Sequence, residues 1–370
     1  VSTGNGSEPV RAQPKPTVRR RYLWAALALV VLSGSAVWIA SQADPAKTIA
    51  AVNVNKLPVG PPAPVLHAKG WLNTAPLTPK DLAGKVVVYD FWTYSCVNCV
   101  RTLPYVRAWW DRYQKDGLVV VGVHSPEFDF EKNHANVEQA VTRLGVTWPV
   151  ALDDNHTIWD DFNNQYWPAK WITDRQGRIR YFHPGEGSYD ETESVIRSLL
   201  GLDPSSPRAA DPKEPKPASG DVLRNITQET YLGTERGSVA QAGPHDYLAG
   251  KLELNQPALT GSWDAEGEFI RSLSPGATLS LQYYAREVNL VMAPSPPGAS
   301  IDVTVELDGR PLPAAFRTAD TRVDPDGSTY VRVQASDLYR LVLGPKVEQH
   351  TVRLTPRSPG LEAFAYTFGA

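Results

Sequence analysis

The feature that most constrains this chain is Val86-Val87-Val88-Tyr89-Asp90-Phe91-Trp92, a short and nearly unbroken apolar run. A strand with one wet face alternates polar and apolar residues. A run that is apolar on both faces belongs inside a sheet covered from both sides. Leu118 to Val123 has the same character, and between the two runs lies a helix-like stretch that opens at Cys96-Val97-Asn98-Cys99. Strand, helix and strand in that order form a parallel crossover unit, so this part of the chain needs an α/β layer structure.

The remaining pattern extends that unit. Val137, Ala140, Val141 and Leu144 recur at helical spacing and stop at Gly145, and Trp148 to Leu152 reads as another short strand. Trp171–Thr173 and Arg178–Phe182 flank Asp174-Arg175-Gln176-Gly177, the signature of an antiparallel hairpin. Ser188 and Glu191 suit a capping box ahead of a helix that Gly201 ends. Residues 65–201 are thus expected to form one α/β domain. Residues 202–220, rich in proline and charge, read as a linker. Beyond it the texture changes to two-residue alternation, as in Ile301, Val303, Val305 and Leu307 before the turn pair Asp308-Gly309. Residues 221–370 are expected to be an all-β sandwich, jelly-roll-like.

The other end of the chain is not globular in pattern. Tyr22 to Ala43 is a stretch of 22 uncharged residues preceded by Arg19-Arg20-Arg21. As a helix it would be about 33 Å long, enough for the hydrocarbon core of a bilayer. Trp24 and Trp38 stand near its ends, where interfacial aromatics sit. The arginines assign residues 1–21 to a cytoplasmic tail, 22–43 to a single transmembrane helix, and everything after Asp44 to the outside. Residues 44–64 then serve as a tether. A cleaved signal peptide and a twin-arginine export signal are competing readings. The length of the apolar run favours the uncleaved anchor, and all three place the folded regions outside the cytoplasm.

Only two cysteines occur in 370 residues, and they are spaced C-x-x-C. A secreted disulfide scaffold would carry several scattered pairs. Zinc would need two further ligands at set spacing, and the histidines that follow are too scattered. Haem attachment needs a histidine after the second cysteine, where Val100 stands. No metal site is expected. With a formal net charge of −3, no basic footprint points to nucleic acid. Dithiol redox chemistry remains: at a helix start, unpaired N–H groups and the macrodipole stabilise a thiolate on the first cysteine. The second cysteine, one turn on, can resolve a mixed disulfide.

The segment Asp90-Phe91-Trp92-Thr93-Tyr94-Ser95-Cys96-Val97-Asn98-Cys99 resembles the active site of the thioredoxin family. The family's buried acid matches Asp90, its helix-kinking proline matches Pro104, and its cis-proline loop matches Trp167-Pro168. The insert between Val123 and Pro168 is similar to the TlpA/ResA-like branch. The β-domain behind it is similar to the soluble C-terminal part of DipZ-type proteins, though with one N-terminal helix in place of a multi-span membrane domain. The resemblance implies a thioredoxin fold and a redox-active Cys96–Cys99 disulfide with no other cofactor. It implies Cys96 as nucleophile, Cys99 as resolving thiol, Asp90 as its proton acceptor, and Pro168 as the backbone beside which substrate pairs. Trp92, Tyr94 and Trp167 are expected around substrate access, Trp92 chiefly through packing. Partners would be protein thiols and disulfides and a separate membrane electron donor.

Two rival functions stand beside disulfide exchange. One is a ligand- or cell-wall-binding protein whose thiol pair acts as a redox sensor. Trp263, Tyr283, Tyr284, Tyr330 and Tyr339 offer a glycan-stacking face, as in the carbohydrate-binding-module type of sandwich that the DipZ-like resemblance implies. The favoured reading of those rings is core packing. The other is a thiol peroxidase, since Thr93-x-x-Cys96 matches part of a peroxiredoxin motif, but Tyr89 stands where that motif has proline.

Overall fold

The computed structural model describes residues 53–203, 207–209, 225–238 and 240–370. The expected transmembrane segment Tyr22–Ala43 lies outside them. Among the described residues no helix is long and apolar enough to cross a membrane.

The first layer structure contains β1 (Gly70–Leu72), α1 (Pro79–Leu82), β2 (Val86–Trp92), α2 (Val97–Tyr113), β3 (Leu118–His124), α3 (His134–Arg143), β4 (Val150–Leu152), α4 (Thr157–Asp161), β5 (Ala169–Thr173), β6 (Ile179–Pro184) and α5 (Tyr189–Leu200). Its six strands lie in the order β1-β4-β3-β2-β5-β6, with β2, β3 and β4 parallel and β5 and β6 antiparallel. Every residue of β2 is buried, as a continuous apolar run requires. Its alternate residues face opposite layers. Val86, Val88 and Trp92 pack with α2 and α5, while Val87, Tyr89 and Phe91 pack on the α4 side. Gly122 on β3 has no room for a side chain, because a Cβ there would lie 2.9 Å from the Trp92 indole nitrogen and 3.2 Å from that of Trp148.

Two local expectations change on contact with tertiary structure. Ser188 does precede α5, but at φ 45° its hydroxyl makes no capping bond, so the capping box is not formed. The second half of the expected tether is not free either. Gly60 donates to the Ile179 carbonyl at 2.8 Å, and Ile179 donates to Pro61 at 2.9 Å. Strand β6 lies at the sheet edge with unpaired backbone groups, and this proline-rich stretch covers them.

The second region is all-β: β7 (Thr230–Tyr231), β8 (Gly243–Tyr247), β9 (Pro257–Ala265), β10 (Ile270–Ser272), β11 (Thr278–Pro294), β12 (Ile301–Leu307), β13 (Arg310–Pro311), β14 (Arg322–Val323), β15 (Thr329–Val333), β16 (Asp337–Pro356) and β17 (Leu361–Gly369). They form one hydrogen-bonded sheet rather than two separate ones. Strands β11 and β16 are long and carry bulges near Ala285–Asn289, and β11 pairs β9 along its first part and β17 along its second. The sheet curls through those shared strands around a core of alternating residues such as Val303, Val305, Leu341 and Leu354. The turn Asp308-Gly309 has positive φ at both residues, the conformation that matches the strand twist of a two-residue hairpin. Of the rings considered for a stacking face, Trp263 and Tyr283 are buried in the core. Tyr330 lies under Arg332 and Arg357, the Tyr339 hydroxyl donates to Ala335, and Tyr284 alone of the five is exposed.

Candidate active site

Strand β2 ends at Trp92 in the interior, the turn Thr93–Ser95 reverses the chain, and α2 begins at Val97. Cys96 is therefore the N-cap of α2, and its sulfur accepts the Cys99 N–H at 3.3 Å. That bond satisfies one of the first-turn donors that a helix leaves unpaired, and it holds Sγ at the positive end of the helix. Cys96 is partly exposed and Cys99 is buried; both are free thiols. This asymmetry suits one sulfur to meeting a substrate and the other to acting behind it. Burial pushes the Cys99 thiol well above the usual range, with the neighbouring Cys96 and Asp90 adding to the effect.

Asp90 is only 1 % exposed, on the β2 face that carries Val88 and Trp92, and among the described residues neither carboxylate oxygen has a hydrogen-bond partner. Desolvation raises it from 3.8 to about 6, opposed by the charge of Lys170. Lys170 stands directly opposite Asp90 in the β2–β5 register, fully buried, with its ammonium lacking a hydrogen bond and lying 5.9 Å from the Tyr189 ring centroid. Burial lowers the Lys170 ammonium, while the charges of Asp90 and the cysteines pull the other way. A carboxyl titrating near neutrality, electrostatically coupled to Cys99, can take up and release a proton during turnover.

The Trp167–Pro168 peptide is cis. Because Ala169 pairs with Phe91, Pro168 comes to the same sheet end as the Thr93–Ser95 turn. Trp167 is fixed there by its indole N–H, which donates to the Ser125 carbonyl at 2.9 Å, and by Trp159, whose ring lies 4.1 Å away. Of the other two access candidates, Trp92 is buried in keeping with the packing role expected of it, and Tyr94 is buried where access was expected. Trp92 and Tyr94 are 0 % and 2 % exposed, and Tyr94 stacks on the buried His124. Their rings build the floor of the site and are not presented to substrate. The Thr93 hydroxyl donates to Glu131 at 2.5 Å and lies 3.3 Å from His124, so it is committed inward.

Three functional candidates escaped the sequence reading: Lys170, Glu131 and Arg101. Lys170 is a charge in a strand that is otherwise apolar, which is a visible signal, but its partner is revealed only by register. Glu131 follows Phe128-Asp129-Phe130 in the insert with no periodic mark. Arg101, on α2, pairs bidentately with Glu186 at 3.0 Å and reaches Glu287 of β11 at 3.5 Å, so it ties the active-site helix to the β-domain.

The sequence has relatives among known proteins. Residues 59–182 match the AhpC/TSA family, and residues 227–369 match the family described as thioredoxin like C-terminal domain. The thiol-disulfide oxidoreductase YkuV of Bacillus subtilis is 32 % identical over 133 residues, 36 % of this chain and 88 % of YkuV. The chain belongs to the thioredoxin-like thiol-disulfide oxidoreductases. Within that family, the DipZ proteins of Mycobacterium bovis and Mycobacterium tuberculosis are 33 % identical over 313 residues, 81 % of this chain and 41 % of each DipZ protein. The chain therefore spans about two fifths of their length. A thioredoxin-like protein solved in solution in its oxidized form is 32 % identical, aligning with 40 % of this chain and 99 % of its own at a TM-score of 0.35.

Proposed function

We propose that this oxidoreductase works outside the cytoplasm, tethered by residues 22–43, and reduces disulfides in proteins through Cys96 and Cys99. The observation that carries the reading is the pairing of a partly exposed Cys96 at the start of α2 with a buried Cys99 next to the charge of Asp90. The Cys96 thiolate attacks one sulfur of a substrate disulfide, forming a mixed disulfide and expelling the other sulfur as thiolate. Asp90 accepts the Cys99 proton. The Cys99 thiolate then attacks Cys96 Sγ, closing the Cys96–Cys99 disulfide and releasing the second substrate thiolate. Two electrons have passed to the substrate, and a membrane dithiol donor returns them.

Pro168, without an N–H, borders the site where a substrate strand would lie, and Trp167 narrows it. The tethered location rests on the uncharged run Tyr22–Ala43 and its leading arginines. A glycan ligand for the β-domain would have to use a surface other than the five rings, most of which are buried or covered. The deciding measurement is the reduction potential of the Cys96–Cys99 pair against a thiol buffer. Thioredoxin-like reductants lie near about −270 mV and strong oxidants near about −120 mV. A value near the lower figure is expected. A value near the upper one would refute the reductant role, and a pair that does not titrate would refute the redox function.

A further inference from the structure

Glu131 belongs to a short 3-10 turn, Asp129–Lys132, in the insert between β3 and α3, and it is 0 % exposed. Its carboxylate receives five donors. Oε1 accepts the Thr93 hydroxyl at 2.5 Å, the Ser95 hydroxyl at 2.6 Å and the Ser95 N–H at 3.3 Å. Oε2 accepts the N–H groups of Glu127 at 2.6 Å and Phe128 at 3.1 Å. The N–H groups of Ser95, Glu127 and Phe128 can only donate, so both oxygens face fixed donors, and an amide would turn an NH2 against one side or the other. Burial raises the carboxyl from 4.5 to about 7, opposed by the Ser95 and Thr93 hydroxyls. One carboxylate therefore clamps the backbone that leads into Cys96 to the turn that begins at Glu127.

That same turn is where the β-domain docks. Phe128 and Phe130 pack edge-on against Phe364 of β17, with ring centroids 5.2 and 4.9 Å away. The Asp129 N–H donates to Glu268 at 2.9 Å. Glu127 accepts the Tyr231 hydroxyl at 2.8 Å and pairs with Arg236 at 2.9 Å. The β-domain thus grips one side of the Glu127–Glu131 turn, and Glu131 grips the Cys96 loop from the other.

We infer that Glu131 is a positioning residue through which the docked β-domain fixes Ser95 and Cys96 for thiol exchange, so that the β-domain tunes the redox pair as well as whatever it binds. Holding Ser95 fixes the start of α2, where Cys96 Sγ accepts the Cys99 N–H. Loosening that hold weakens an interaction available to the reduced sulfur and moves the equilibrium toward the disulfide. The inference rests on Cys96–Cys99 being a redox pair.

The test is the equilibrium of the full chain with oxidised and reduced dithiothreitol, read by alkylation of free thiols, for the natural protein and two variants. Glu131→Gln removes the carboxylate with little change of shape. Arg236→Gln loosens the docked turn from the β-domain side, at a position 41 % exposed at its side chain. Glu131→Gln is expected to move the equilibrium toward the disulfide by about fivefold or more. Arg236→Gln should move it the same way by about twofold. The double variant should shift it by less than the product of the two, because both act along one path. Both variants folded, melting above the assay temperature, and within measurement error of the natural equilibrium would overturn the inference. So would a shift in Glu131→Gln with none in Arg236→Gln. A natural protein whose cysteines do not exchange at all would instead be the failure of the redox function itself.

Discussion

Replacing Asp90 by asparagine should stabilise the protein above neutrality, and the size of the gain follows from where the carboxyl sits. Folded, Asp90 titrates at about 6; an ordinary aspartate does so at 3.8. Since each pH unit between those values is worth 1.36 kcal/mol, ionising Asp90 costs the native state about 3 kcal/mol relative to the unfolded chain. The sign is fixed by the upward direction. A carboxyl raised on folding favours the native state below the unfolded value, and that advantage is lost as pH rises through the folded one. The difference between Asp90→Asn and the natural protein should therefore grow by about 3 kcal/mol between about pH 4 and pH 7, then level off. Any packing cost of the amide shifts the whole curve; because the Lys170 ammonium also loses the Asp90 charge that favours it, the comparison is repeated in the Lys170→Met background. Urea unfolding of the reduced protein, followed by the fluorescence of the buried Trp92, Trp109 and Trp148, measures it at each pH. A flat difference across that range, or an asparagine variant that loses stability as pH rises, would refute the account of Asp90 as a desolvated, unpartnered carboxyl. The same substitution should slow disulfide closure, since the proton of Cys99 loses its acceptor.

Lys170→Met removes the one charge that opposes the rise of Asp90, so the Asp90 titration should move above about 6; the pH midpoint of the stability curve reads it. Cys99→Ser should trap substrate on Cys96 as a mixed disulfide, visible by non-reducing electrophoresis and released by dithiothreitol. Cys96→Ser should trap none, because Cys99 is buried.

The approach to the site was legible because it is local. A strand apolar on both faces, a C-x-x-C at the strand–helix junction, and a proline ahead of a later strand each announce themselves within a few residues. Cys96 as the cap of α2 lies where those signals put it, while the buried acid at Asp90 and the cis Trp167–Pro168 peptide were implied by the resemblance to the thioredoxin family rather than by spacing. The all-β character of the second region was equally plain from its alternation, but its single curled sheet was not, because β11 exchanges partners along its length.

What the sequence determined, then, was the kind of chemistry: two cysteines at the start of a helix, presented by a buried strand, with an acid on that strand. Only the tertiary structure decided what surrounds them. Lys170 meets Asp90 through the register of two antiparallel strands, and Glu131 meets Ser95 across 36 residues of chain. Tyr94, which by position beside the cysteines looked available to substrate, is buried against His124 and Phe130. Periodicity and spacing report how a chain bonds to itself nearby, whereas a buried charge finds its partner through contacts that no short stretch of sequence contains.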